Sequence, residues 1–173
     1  MQKPRFFNYK QLSLVDDAGH ASEELVNNYF KMSSSKWLKN RYDIKTLKDL
    51  APHERVKGPV AQVIKYEVKP RDMSLGSTSY TLYKVCLQDD AIIETINRAA
   101  DMRLEPFLMY ILTHELVHVV RFSKYEHRYE NKNESDVPLR EERKVHSLTF
   151  KILESVPVPG LPKVFEFYND WWT

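Results

Sequence analysis

Pro106-Phe107-Leu108-Met109-Tyr110-Ile111-Leu112-Thr113-His114-Glu115-Leu116-Val117-His118-Val119-Val120-Arg121-Phe122 is the stretch on which the fold of this chain turns. Pro106 suits a helix start, where its missing N–H costs nothing. Phe107, Leu108, Ile111, Leu112, Val119 and Val120 supply the apolar residues that bury a helix running to about Phe122. Inside it His114 and His118 stand at i and i+4, one turn apart on the same face, so both imidazoles reach one ion. Neutral imidazole suits zinc at about 2.0–2.1 Å. Glu115, about 100° round the helix from His114, is poorly placed as a third equivalent ligand. It is read instead as leaning over an open coordination position, to accept a proton from metal-bound water. The competing reading is two surface histidines on an ordinary amphipathic helix.

A catalytic zinc site usually takes three protein ligands, so a third is expected downstream. Glu126, His127, Glu130, Glu134 and Asp136 fall in Ser123–Val137, a polar run read as an exposed loop that would hold a ligand weakly. A ligand on a second helix is fixed by packing. Pro138 opens such a helix, Leu139 to about Glu154, with Val145, Leu148 and Ile152 as its apolar stripe. Glu142 is the expected third ligand. His146, four residues on and on the same face, is either a hydrogen-bonding neighbour of the site or the alternative third ligand. Glu141 reads as a solvated charge at a helix N-terminus.

Working outward, Ser22 to about Leu50 reads as helical, interrupted at Ser33-Ser34-Ser35. Val60–Val68 and Ser79–Leu87 read as two antiparallel strands, with Pro70–Ser77 as their hairpin connection. Asp89 or Asp90 is placed to cap a helix from Ala91. Val156-Pro157-Val158-Pro159-Gly160 breaks the last long helix ahead of an aromatic segment ending Trp171-Trp172, expected to pack on the core. The class expected is α+β: a small antiparallel or mixed sheet against an active-site helix and a second ligand-bearing helix. One domain over 1–173 is expected, with 1–57 a helical N-terminal part and 156–173 a C-terminal aromatic segment.

With 173 residues, 42% of them apolar and 29% charged, the chain has enough apolar material for one core, and disorder is not indicated. A net charge of +2 without a Lys/Arg block gives no indication of nucleic acid or an anionic membrane as partner. No window approaches the roughly 20 apolar residues of a membrane span. Cys86 is the only cysteine, which excludes an intramolecular disulfide. With no stretch of signal-peptide character at the N-terminus, a cytoplasmic location is expected. Oligomeric state is not legible.

His114-Glu115-Leu116-Val117-His118, followed on a later helix by Glu142-Arg143-Lys144-Val145-His146, resembles the zincin metallopeptidases of the gluzincin type, most closely the compact ImmA/IrrE-like peptidases. The resemblance covers roughly residues 60–155. Val145 and His146 stand where that family has a small residue and Asn or Asp. A metzincin pattern would want Gly and His at the positions held by Arg121 and Lys124. The resemblance implies a zincin-like fold in which an edge strand aligns a peptide or protein substrate, and a zinc cofactor; Ser79–Leu87 is read as that strand. Cys86 invites comparison with the Cys ligand of peptide deformylases, but that family's Gly-rich segment is missing and a buried strand residue is expected. His20 and His53 are read as structural or surface residues. Tyr110, Tyr125, His127 and Tyr129 are possible oxyanion donors. The function expected is zinc-dependent peptide hydrolysis with Glu115 as general base. The alternative is a non-catalytic zinc-binding or regulatory module on the same scaffold.

Overall fold

Asn8 starts the first helix. Its side chain accepts from the Gln11 N–H at 2.9 Å while the Gln11 side chain accepts from the Asn8 N–H at 2.8 Å, a reciprocal cap. In the computed structural model, which describes residues 3–39, 41–69, 79–124 and 138–171, helix α1 therefore spans Tyr9–Phe30, well ahead of the Ser22 start expected. It ends at Lys31 in the left-handed region. Beyond a short helix α2 (Ser34–Lys39) the chain enters strand β1 (Arg41–Lys45), in a region expected to be helical. The physical reason is local: Arg41-Tyr42-Asp43-Ile44-Lys45 alternates polar and apolar with period two, which a strand with one buried face satisfies and a helix does not.

Strands β2 (Ala61–Val68) and β3 (Tyr80–Leu87) pair antiparallel, while β1 adds in parallel on the far side of β3. The sheet order β1-β3-β2 makes β3 the central strand. Ser79–Leu87 is therefore not an edge that could receive a substrate strand, contrary to expectation; among the described residues β1 and β2 are the edges. The connection Pro70–Ser77 lies outside the described residues. Register puts Val63, Val85 and Ile44 in one row on one face, and that face, with Tyr83 and Leu87, joins the main core. The other face carries Ile64 and Cys86, covered by Leu47 of a 3-10 turn, Leu47–Asp49, and by Leu50, which ends it; a second 3-10 turn, Pro52–Glu54, follows.

Glu54, the last residue of the second turn, is 2% exposed. It receives the Lys84 ammonium at 2.8 Å, the Tyr66 hydroxyl at 2.6 Å and the Ala51 N–H at 2.7 Å. Burial alone would raise its carboxyl, but these donors outweigh it and hold the group near 2. A depressed carboxylate stabilises the fold above the ordinary carboxylate range, and that contribution is lost as pH falls from about 4.5 through about 2. Glu54→Ala is expected to cost about 2–3 kcal/mol at neutral pH and to flatten the acid limb of a stability-versus-pH curve from urea unfolding. A midpoint unchanged at neutral pH would contradict this.

Helix α3 spans Asp89–Arg98 and starts two residues earlier than expected, with Gln88 at its N-cap. Neither aspartate caps it in the way expected. Asp89, fully inside, instead accepts the Phe7 N–H at 2.8 Å and the Leu47 N–H at 3.0 Å, tying the N-terminal segment and the first 3-10 turn to the helix start.

Helix α4 (Leu104–Lys124) occupies the middle of the molecule, with sixteen buried residues. A helix buried on nearly every side needs partners all round, and α4 has them: the sheet, α1, α5 (Leu139–Leu153) and α6 (Leu161–Phe167). Where α1 crosses it, the Thr113 hydroxyl donates to Ser22 Oγ at 3.1 Å. Gly160, at φ +92°, lets the chain turn against the start of α4; a Cβ there would sit 2.9 Å from Pro106 Cγ. Phe107 then stacks on Tyr168. The described residues thus form an α+β arrangement of six α-helices and one mixed three-stranded sheet. No helix among them is long and apolar enough to cross a membrane.

Candidate metal centre

The burial of α4 fixes two imidazoles in the interior: His114 is 6% exposed and His118 not at all. Helix α5 lies alongside and brings Glu142 and His146 to them. His114 Nε2 is 2.8 Å from Glu142 Oε1 and His118 Nε2 is 3.1 Å from Glu142 Oε2. The two Nε2 atoms are themselves 3.2 Å apart. His146 Nε2 lies 3.4 Å from Glu142 Oε1. Ligand atoms of His114, Glu142 and His146 all fall within 4.8 Å of one another, a group able to hold a metal ion.

Imidazole nitrogen and carboxylate oxygen are donor types that zinc accepts, and two donors bound tetrahedrally at 2.0–2.1 Å stand about 3.3 Å apart. The His114–His118–Glu142 separations of 2.8, 3.1 and 3.2 Å lie within about half an ångström of that spacing, so the donor set fits such an ion. Helix spacing produces half of this arrangement, since i and i+4 place both imidazoles on one face. Packing of α5 on α4 produces the other half.

Glu142 and His146 are held in the forms that bind a metal, carboxylate and neutral imidazole. Burial pushes the Glu142 carboxyl up, but hydrogen bonds from His114 and His118 prevail and hold it well below the usual carboxylate range. Burial, reinforced by the neighbouring His114, lowers His146 to about 2 and keeps it neutral. Tyr110 Oη lies 2.7 Å from His146 Nδ1, which turns Nε2 of that ring towards Glu142. Burial, then Tyr168 and Glu142, raises the Tyr110 phenol and keeps it un-ionised.

Glu115 is 3% exposed, on α4 directly after His114. Of the two downstream candidates for a third ligand, the fold brings both Glu142 and His146 to the histidines, and Glu142 spans the pair. Glu126, His127, Glu130, Glu134, Asp136, Tyr125 and Tyr129 lie outside the described residues, as does Trp172. His20 is exposed within α1 and bonds Asp16 O, and exposed His53 meets the Tyr66 hydroxyl; neither belongs to the donor group of the centre. Cys86 is fully buried in β3, on the sheet face under the 3-10 turns.

Three features escape a reading of sequence. Glu141 is not a solvated charge: it is 9% exposed and takes a two-pronged bond from the Arg121 guanidinium. Tyr110 serves His146. The terminal aromatic segment packs on the centre as well as the core, with the Trp171 ring stacked 4.5 Å from His146 and Tyr168 stacked 4.4 Å from Tyr110. Spacing hinted at the first, because Arg121 follows His118 by three residues and Glu141 precedes Glu142. No family model, curated protein or solved structure matches the chain.

Proposed function

We propose that this chain is a cytoplasmic zinc-dependent peptidase on a zincin-like scaffold, in which His114, His118 and Glu142 hold the ion. The observation that carries the reading is the meeting of two imidazoles from one helix with a carboxylate from another at ligand spacing, beside a buried Glu115. Zinc held there supplies Lewis acidity, polarising a carbonyl and lowering the pKa of water to near 7. Glu115 takes up a proton at its carboxylate and returns it to the departing amine. Burial of Glu115 excludes bulk water from that transfer. Strand β2, an edge strand that packs on α4, is the edge offered to an extended peptide. The same residues would serve hydrolysis of another amide, which a substrate screen separates.

One observation favours a second reading, a non-catalytic zinc-binding module. His146 Nε2, at 3.4 Å from Glu142, is a further donor at ligand spacing, and engaged it would complete a closed set. The two readings part on one experiment. The zinc-loaded full chain is offered a mixed peptide library, with and without 1,10-phenanthroline. Cleavage that stops with the chelator and returns with added zinc supports the peptidase. Stoichiometric zinc with no cleavage of any peptide or amide supports the module.

A further inference from the structure

Between Tyr110 and Arg121, helix α4 presents a stripe of polar groups at 110, 114, 118 and 121, and α5 answers it in reverse order. Tyr110 meets His146, His114 and His118 meet Glu142, and Arg121 meets Glu141. The helices are antiparallel here, and the metal donors form the middle rungs of a ladder. The last rung has a property the others lack: neither of its members is a candidate ligand or base.

The first turn of α5 needs an anchor. Its N-cap, Pro138, makes no side-chain cap bond, and Leu139 is 61% exposed. The buried apolar residues of the helix begin only at Val145, after Glu142 has passed. Uncapped helix ends fray, so a ligand in this turn requires some other tie to the body of the protein. Arg121 supplies it: Nε donates to Glu141 Oε1 and Nη2 to Oε2 at 3.1 Å, with the side chains 17% and 11% exposed. A planar guanidinium fork on a carboxylate fixes direction as well as distance.

We propose that Arg121 and Glu141 are positioning residues, a bidentate clamp that sets the reach of Glu142 to His114 and His118. The proposal rests on the metal-site reading above. Loss of a contact that orients a ligand typically weakens metal affinity by about 10–100-fold. Glu141→Gln and Arg121→Met should each weaken zinc binding to that extent, measured by competition with a chromophoric chelator. The double variant Arg121→Met/Glu141→Gln should be no worse than the weaker single variant, because the two side chains act as one unit. The exchange Arg121→Glu/Glu141→Arg should recover most of the affinity. Cobalt-loaded single variants should show altered visible bands, a readout that a purely structural role would leave alone.

Far-UV circular dichroism of the metal-free full-length chains checks that each variant folds. If Arg121→Met does not fold, Arg121→Lys, which keeps the charge and loses the fork, takes its place with the same expected weakening. Single-variant affinities within about twofold of the parent, well short of that range, with His114→Ala abolishing binding, would overturn the clamp and leave the metal site standing. A parent chain that takes up no zinc, or a His114→Ala variant that binds it as the parent does, would overturn both.

Discussion

Glu115→Gln is expected to bind zinc as the parent chain does and to hydrolyse peptides about 10²–10⁴-fold more slowly, the range that a positioned general base contributes. That loss corresponds to about 3–5 kcal/mol of transition-state stabilisation. Glutamine has the shape of glutamate and fills the same buried volume on α4, so the core around Leu116 and Val117 is undisturbed. What it loses is the ability to accept a proton. Because Glu115 follows His114 directly on α4 and so points about 100° away from it round the helix, its replacement is expected to separate metal binding from chemistry. Zinc content by elemental analysis and kcat on a peptide cleaved by the parent are measured on the same preparation. Equal turnover would remove Glu115 from the mechanism, and zinc loss in step with activity would make it a ligand instead.

The parts of this structure that were legible in sequence are those whose signal is local and long. Helix α4 carries its own apolar surround, so its presence and the common face of His114 and His118 follow from the 3.6-residue repeat, although it starts at Leu104, two residues before Pro106, and runs on to Lys124. Helix α5 and strands β2 and β3 are legible for the same reason. β1 is five residues long, in a polar region that reads as a continuation of the preceding helical run, and its role comes from pairing with a strand some forty residues away. That pairing also decides that β3 is central, which no feature of Tyr80–Leu87 alone reveals. Asp89 shows a related limit: a capping residue type at a helix start was spent on two backbone N–H groups from distant segments.

At the centre, sequence could rank Glu142 and His146 but not separate them, because residues four apart on one helix share a face. Only the placement of α5 on α4 shows that Glu142 bridges the two histidines while Tyr110 directs His146 from behind. Arg121 and Glu141 are twenty residues apart, so their pairing depends on that placement too.

His118→Ala is expected to abolish the thermal stabilisation that zinc gives the parent chain. A ligand present at about a thousand times its dissociation constant adds roughly 4 kcal/mol to folding stability, which for a chain of this size moves Tm by about 8–16 °C. His118 is fully buried and 3.1 Å from Glu142, so its removal takes away one donor and leaves the carboxylate short of a partner. The metal-free variant is therefore expected to melt lower than the metal-free parent. The diagnostic quantity is the difference between melts with and without zinc, which cancels that cost. His146→Ala serves as the internal comparison. If Glu142 is the third ligand, this variant keeps most of the zinc-induced shift; if His146 is the third ligand, the shift disappears as it does in His118→Ala. A zinc-induced shift of full size in His118→Ala would remove His118 from the ligand set and leave His114, Glu142 and His146 as the group that holds the ion.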